Sequence, residues 1–79
     1  MEEIVKYIVD KLVDNHEAVK IESAEKGDDV TITVLVAKQD MGKVIGRNGK
    51  IAQSIRAIIK TASNGLKKRY FVKFDERAE

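Results

Sequence analysis

The sequence predicts an α+β fold in which three helices cover one face of a three-stranded mixed sheet. Hydrophobic residues recur at helical spacing in three segments, alternate in three others, and these segments follow the order α-β-β-α-α-β. Two consecutive alternating segments predict an antiparallel hairpin. A right-handed crossover through the two later helices returns the last strand parallel to the second. The predicted architecture is therefore a two-layer sandwich.

The first helix is predicted at the start of the chain. Hydrophobic residues from Ile4 to Val13 recur every three to four positions, with charged residues on the opposite side. This period predicts an amphipathic helix of about 12 residues. We expect the helix to end near Asn15 and His16.

The next two segments alternate with a period of two. Val19 and Ile21 alternate with charged residues, and valines and one isoleucine occupy every second position of VTITVLVA, residues 30–37. The intervening EKGDD has the composition of a hairpin turn. We expect residues 30–37 to form the central strand.

Two helices on either side of a glycine pair follow. Asp40 is placed to cap a short helix from Met41 to Ile45, and Gly46 ends it because glycine tolerates positive φ at a helix C-terminus. Asn48 is a candidate cap for the next helix. The hydrophobic stripe of that helix consists of Ile51, Ala52, Ile55, Ile58, Ile59 and Ala62.

The last strand is predicted in RYFVKF, after Asn64-Gly65 ends the long helix. Tyr70, Val72 and Phe74 share its inner face, which leaves Phe71 as the one large hydrophobic residue expected to be exposed. The predicted core contains Ile8, Leu12, Ile21, Ile32, Val34, Ile55, Ile58 and Val72.

The amino-acid composition is that of a small globular protein without disulfides. Seventy-nine residues with 43% hydrophobic and 35% charged side chains are typical of one small globular domain. The chain has no cysteine, which excludes disulfides and thiolate chemistry. No hydrophobic run approaches the roughly 20 residues of a membrane span. The acidic start MEEIVKYIVD lacks a signal-peptide layout, so we expect a cytoplasmic protein with no membrane partner.

An enzyme is not expected. His16 is the only histidine, which leaves a metal site or a serine nucleophile without its usual partners. No pair of carboxylates stands inside a hydrophobic run, where burial would adapt a pKa to acid–base catalysis. A Walker loop would require glycine at Val44 and serine or threonine at Ile51. Catalytic residues, metal ligands and cofactors are therefore not predicted.

Charge is distributed unevenly along the chain. Residues 1–37 contain four basic and nine acidic side chains, whereas residues 38–69 contain nine basic side chains and a single acidic one. The glycine pair lies inside this basic block. Clustered positive charge beside exposed backbone suits a polyanion, although a solvated surface gives the same pattern.

The glycine pair, Gly46 and Gly49, encloses Arg47 and Asn48. Without Cβ atoms at the glycines, a sugar-phosphate backbone could approach closely. The N–H groups at the start of the following helix favour an anion, and Arg47 adds a full positive charge. Such a loop would bind phosphates without reading sequence. The alternative is a tight turn between two helices.

The stretch VIGRNGK resembles the core of a KH domain. The family pattern VIGRxGxxxxxIR is matched by Val44, Ile45, Gly46, Arg47, Gly49, Ile55 and Arg56. Ala52 stands where the wider family has isoleucine. The predicted order of elements is that of the type II KH domain, and the resemblance covers essentially all of residues 1–79. It is nearest to the small stand-alone bacterial KH proteins of the KhpA kind.

The resemblance implies binding of single-stranded RNA, with about four nucleotides clamped by the loop, and single-stranded DNA as a further ligand. It implies the role of a post-transcriptional regulator or RNA chaperone. The residues that it implies at the RNA are Gly46, Arg47, Asn48 and Gly49 in the loop, with Lys43, Val44, Ile45, Lys50 and Arg56 beside it.

A second hypothesis is a protein-interaction module with weak RNA contact of its own. One KH domain grips few nucleotides, so useful affinity requires several domains acting together. The resemblance implies a homodimer, or a heterodimer with a larger KH-containing protein. Phe71 is the residue that we expect at such an interface.

Overall fold

The computed structural model describes residues 1–77, in which three helices pack on one face of a three-stranded sheet. The predicted order of elements is confirmed. The helices are α1 (Glu2–Leu12), α2 (Met41–Ile45) and α3 (Lys50–Ala62), and the strands are β1 (Lys20–Lys26), β2 (Asp29–Val36) and β3 (Arg69–Glu76). Short 3₁₀ turns occupy residues 16–18, 38–40 and 47–49. None of the helices in residues 1–77 is long and apolar enough to cross a membrane.

Strand β2 is the centre of the mixed sheet, as predicted. It pairs antiparallel with β1 across the turn Gly27-Asp28, with Ile21 opposite Val34. It pairs parallel with β3, with Ile32 opposite Val72. Every second residue of β2, from Val30 to Val36, is buried under the helices. The period of two read from the sequence therefore identifies the inner face correctly.

The core differs in part from the predicted set. Ile32, Val34, Ile55 and Val72 are buried, whereas Ile8, Leu12 and Ile21 are only partly buried. The prediction for Ile58 is wrong, because its side chain is 47% exposed. The buried face of α3 consists of Ile55 together with Ala52 and Ile59, which were not in the predicted core. Helix α1 is centred on Val5 and Val9, and α2 contributes Val44.

Helix α1 ends at Leu12, earlier than the predicted end near Asn15 and His16. Val13 is already extended, with φ −91° and ψ 156°. The N–H groups of Asp14 and Asn15 donate to the carboxylate of Asp40, at 3.3 and 3.0 Å. The chain therefore leaves the helix to bind a carboxylate that is distant in sequence, which helical periodicity does not reveal.

Phe71 is not the one large hydrophobic residue on the surface, contrary to the prediction. Its side chain is 50% exposed. Four other large hydrophobic side chains in residues 1–77 are also exposed, namely Ile4, Tyr7, Ile58 and Leu66. They lie on α1, on α3 and in the turn before β3.

Candidate nucleic-acid interface

The G-x-x-G loop connects α2 to α3 through mostly left-handed backbone. The φ angles are +75° at Gly46, +57° at Asn48 and +73° at Gly49. Arg47 and Asn48 are exposed. Asn48 does not cap α3 as predicted, because its own backbone is left-handed and Gly49 precedes the helix without a side-chain cap. The loop therefore projects its two middle side chains into solvent.

The two glycines of the loop have different surroundings. A Cβ atom at Gly46 would lie 2.5 Å from Cγ1 of Ile51, so a side chain is excluded by a residue of the chain itself. A Cβ atom at Gly49 would meet nothing within 4 Å. Gly46 is thus needed for the packing of Ile51 against the loop. Only Gly49 borders open space that an outside molecule could enter.

The loop leaves hydrogen-bond donors available. The N–H of Gly46 donates to Gly42 O at 2.9 Å, and the N–H of Gly49 donates to Gly46 O at 3.2 Å. Within residues 1–77, the N–H groups of Arg47 and Asn48 donate to no other residue. The guanidinium of Arg47 forms no ion pair with that part of the chain either. These groups can meet the oxygens of a phosphate.

Lys43 is held by carboxylates rather than left free beside the loop. Its Nζ forms an ion pair with Asp14 and lies 3.7 Å from Oδ1 of Asp40. The hydrogen bond to Asp14 raises the pKa of Lys43, since it stabilises the ammonium form. The ammonium group of Lys43 is therefore paired with carboxylates of its own chain at the surface.

Asp40 occupies the position before α2, but its side chain does not cap that helix as predicted. The carboxylate is fully buried and accepts the N–H groups at the end of α1. The hydrogen bond from the N–H of Asn15 is the main cause of its lowered pKa, which the N–H of Asp14 and the charge of Lys43 lower further. Asp40 thereby fixes α2, and with it the loop, to the end of α1.

The hydrophobic residues beside the loop face inwards to different degrees. Val44 is 0% exposed, so its side chain offers no surface to a nucleotide and the expected contact is not supported. Ile45 and Ile51 are partly buried. Ala52, in the position where isoleucine is usual, lies on the buried face of α3. Ile51, next to it, fills the space beside Gly46.

Lys50 and Arg56 lie on the exposed side of α3. Lys50 has no ion-pair partner in the described chain. Arg56 Nε donates to Val72 O at 3.0 Å, and its guanidinium carbon lies 5.7 Å from the centre of the Phe74 ring. Arg56 therefore connects α3 to the edge of β3 and keeps its outer nitrogens available.

The structure brings together residues that the sequence did not connect. A cavity of about 630 Å³ lies between the C-terminal half of α3 and the start of β3, and Lys60, Leu66 and Phe71 are part of its lining. The sequence singled out Phe71 as exposed, but no linear pattern placed it beside Lys60 and Leu66, because the three residues belong to separate elements. Among residues 1–77, no group of three or more histidine or carboxylate side chains is placed to hold a metal ion.

The elements follow the order α-β-β-α-α-β along the chain, and the helices pack on a mixed three-stranded sheet. Together with a G-x-x-G loop between α2 and α3, this architecture defines a KH domain of type II. Residues 2–74 match the family described as "KhpA/KhpB, KH domain". The chain belongs to this family.

Relatives in three bacteria agree with this assignment. The "RNA-binding protein KhpA" of Caldanaerobacter subterraneus is 46% identical over 72 residues, which cover 91% of this chain and 96% of that protein. The protein of the same name in Listeria monocytogenes is 44% identical over 59 residues, or 75% and 78% of the two chains. A third, from Clostridium acetobutylicum, is 36% identical over 72 residues, or 91% and 96%.

Proposed function

We propose that this chain binds single-stranded RNA and that the loop from Gly46 to Gly49 holds about four nucleotides by their phosphates. The main support is the open space at Gly49 beside the unused N–H groups of Arg47 and Asn48. The relatives, which are named as RNA-binding proteins, support the same proposal.

The proposed contacts differ in kind. Arg47, Asn48, Gly49 and Lys50 would meet the phosphates directly, since they are at the exposed end of the loop and the start of α3, where anions are favoured. Gly46 would contribute indirectly, because it leaves room for Ile51 to pack against the loop. Val44 would support the loop from the core, and Lys43 would support it through its ion pair with Asp14. Ile45 and Arg56 would border the bases.

The experiment is a binding titration of the double variant Arg47→Asp/Asn48→Asp with short single-stranded RNA. Both side chains are exposed, so the melting temperature should stay close to that of the parent. Affinity should fall at least about tenfold, because repulsion replaces attraction beside the phosphates. Single-stranded DNA and duplex RNA are the comparison ligands, and both should bind less tightly than single-stranded RNA.

The single variant Arg47→Asp is measured beside the double variant, and Lys11→Asp is its matched control, because both replace one exposed cation with an anion. Lys11 lies on α1, away from the loop. The control should bind RNA almost as the parent does. If the folded double variant binds single-stranded RNA as tightly as the parent, the loop is only a turn between helices.

As the cellular role we propose a cytoplasmic post-transcriptional regulator or RNA chaperone that acts as a single KH domain over residues 1–79. Crosslinking in cells, followed by sequencing of the bound RNA, should recover cellular transcripts with the parent. It should recover few with the double variant. Equal recovery with both proteins would contradict the proposed role of the loop.

The second candidate function is a subunit that pairs with itself or with a larger KH-containing protein. Ile4 on α1 and Ile58 on α3 favour it, because they are large, exposed and hydrophobic on two helices that contact each other. Sedimentation at micromolar concentration should detect a dimer that Ile58→Asp disrupts. A strictly monomeric parent whose RNA affinity is unchanged by any KH-containing partner would exclude this candidate.

A further inference from the structure

The chain contains two Asn-Gly dipeptides, Asn48-Gly49 in the G-x-x-G loop and Asn64-Gly65 in the turn between α3 and β3. Asparagine is one of the thermolabile side chains of proteins. When glycine follows it, the glycine nitrogen can attack the side-chain carbonyl of the asparagine, because no Cβ obstructs the ring that forms. Both dipeptides share this chemistry in the unfolded chain, so the fold decides which of them reacts.

The fold engages the attacking nitrogen of the first dipeptide. The N–H of Gly49 donates to Gly46 O at 3.2 Å, and Gly49 is only partly exposed. Asn48 is held in the left-handed region, with φ +57° and ψ 26°. Attack on Cγ of Asn48 would first have to break this hydrogen bond and rotate the loop. The folded loop therefore protects Asn48.

The turn at Asn64-Gly65 leaves the attacking nitrogen available. The N–H of Asn64 donates to Thr61 O at 3.2 Å, and the N–H of Leu66 donates to Ser63 O at 3.0 Å. Between them, the N–H of Gly65 donates to no other residue within residues 1–77. Asn64 and Gly65 are both exposed, and a Cβ atom at Gly65 would meet nothing within 4 Å. Base from the solvent can therefore reach this nitrogen, and the turn has room to rotate.

Positive charge around the turn favours the same attack. Lys60 lines the same cavity as Asn64 and forms no ion pair within residues 1–77, where the lining contains no acidic residue. A cation stabilises both the amide anion that attacks and the oxyanion that forms at Cγ. Asn48 has a comparable neighbour in Arg47, so charge does not distinguish the two asparagines. The hydrogen bond within the loop does.

We propose that Asn64-Gly65 is a modification site, at which the folded protein converts Asn64 to aspartate and isoaspartate with water as the only other reactant. The deprotonated nitrogen of Gly65 attacks Cγ of Asn64, and the Cγ–Nδ2 bond breaks. Nδ2 leaves as ammonia with the proton that the nitrogen of Gly65 gave up. Water then opens the ring at either of its two carbonyl carbons, so that its oxygen ends in a new carboxylate and a proton returns to the nitrogen. One water is consumed, one ammonia is released and the basic block gains one negative charge.

The new carboxylate changes the end of α3. The carbonyl groups of a last helical turn bear partial negative charge, so they repel a carboxylate at residue 64. In isoaspartate the main chain also runs through Cβ, which lengthens a turn whose hydrogen bonds begin at Asn64 and Leu66. The modified protein, separated by ion exchange, should therefore melt at a lower temperature than the unmodified protein. Equal melting temperatures would contradict this effect on α3.

The test is mass spectrometry of peptides after the full chain is incubated at mildly alkaline pH without RNA. Asn64 should deamidate at least about threefold faster than Asn48, because attack at Asn48 requires the loss of a hydrogen bond. In concentrated urea the two rates should become similar, since the fold then holds neither residue. Asn15 is the internal negative control, because its Oδ1 accepts the N–H of Ala18 at 3.3 Å and histidine follows it, and it should stay unmodified.

Asn64→Gln is the matched variant, since it keeps an exposed amide but requires a larger ring. It should abolish the modification at residue 64 and leave the rate at Asn48 unchanged. A smaller ratio between the two rates in the folded protein, or no modification of Asn64, would overturn the inference. A ratio that persists in urea would assign the difference to the sequence rather than to the fold, and would overturn it as well. Because no RNA is present, these outcomes are independent of the proposed function, which the RNA titration decides.

Discussion

At the scale of single residues, the two glycines of the loop have the same backbone freedom but different tasks. Gly46 combines φ +75° with ψ 176°, a region that is essentially restricted to glycine. Its missing Cβ makes room for Ile51. Gly49 has φ +73° and ψ 14°, which asparagine also tolerates, and it borders open space. Gly46 is therefore needed for internal packing, whereas Gly49 leaves space for a ligand.

Gly46→Ala should destabilise the fold by about 2 to 5 kcal/mol, since it adds backbone strain and a clash with Ile51. Gly49→Asn should cost about 1 kcal/mol or less, because asparagine accepts the left-handed region. The asparagine side chain would nevertheless fill the space next to the phosphate, so RNA affinity should fall. Urea unfolding and RNA titration of both variants measure these effects. Equal stability losses at the two positions would contradict the division of tasks.

Asp40 is the residue whose ionisation we expect to matter for stability. Its pKa is lowered from the ordinary 3.8, mainly by the hydrogen bond from the N–H of Asn15. A lowered folded-state pKa means that the carboxylate contributes stability above its ordinary pKa. This stability is lost as the pH falls from about 4 through the folded-state value. Asp40→Asn should therefore lower the melting temperature at neutral pH.

The control for this prediction is Asp14→Asn, which breaks the ion pair with Lys43 and keeps the Asp40 carboxylate. The melting temperature of this variant should still fall below pH 4, as in the parent. The difference between Asp40→Asn and the parent should shrink over the same range. An unchanged difference from neutral pH to pH 3 would show that the charge of Asp40 does not stabilise the fold.

At the scale of elements, α3 presents three faces. Its buried face consists of Ala52, Ile55 and Ile59, and Ile58 lies on a half-exposed side. Arg56, on its third face, donates to the edge carbonyl of Val72. The helix thus connects the loop to the core and to the edge of the sheet at once.

Ile55→Ala and Ile58→Ala form a matched pair on this helix. Both remove the same atoms and change helix propensity equally, so their difference isolates burial. Because Ile55 is only 2% exposed, Ile55→Ala should lower the free energy of unfolding by about 2 to 5 kcal/mol. Ile58→Ala should lower it by about 1 kcal/mol or less. Urea unfolding measures both values. Similar losses would mean that Ile58 is buried in solution, as in the dimer of the second candidate function.

At the scale of the whole molecule, folding brings the acidic first half of the chain against the basic block. Three ion pairs connect them, Lys43–Asp14, Lys68–Glu25 and Arg69–Asp29. These three cations are thereby paired with carboxylates of the same chain. The nine basic residues of the block therefore include a smaller set without such partners, and Arg47 and Lys50 of that set lie in the loop and at the start of α3.

The salt dependence of RNA affinity measures how many basic side chains neutralise phosphates. A single strand gives a log–log slope of about −0.7 for each phosphate neutralised. Two to three phosphates predict a slope of about −1.4 to −2.1, whereas engagement of all nine basic residues of the block would give about −6. Titrations at several salt concentrations measure the slope, and Arg47→Gln should reduce its magnitude by about 0.7. A slope near −6 would mean that RNA opens the internal ion pairs.

Local patterns in the sequence determined the order of the elements and the position of the loop. Both depend on residues that are neighbours along the chain, through a period of 2 or 3.6 or through a glycine that must end a helix. The parallel return of β3 follows from that order and from the right-handedness of crossover connections. The tertiary structure alone decided that Asp40 binds the N–H groups at the end of α1 across 25 residues, that Lys43 pairs with Asp14, and that Ile51 requires Gly46. It also decided that Phe71, Leu66 and Lys60 share one cavity. Charges and packing partners join residues that are distant in sequence, and periodicity within one element contains no information about which of them will meet.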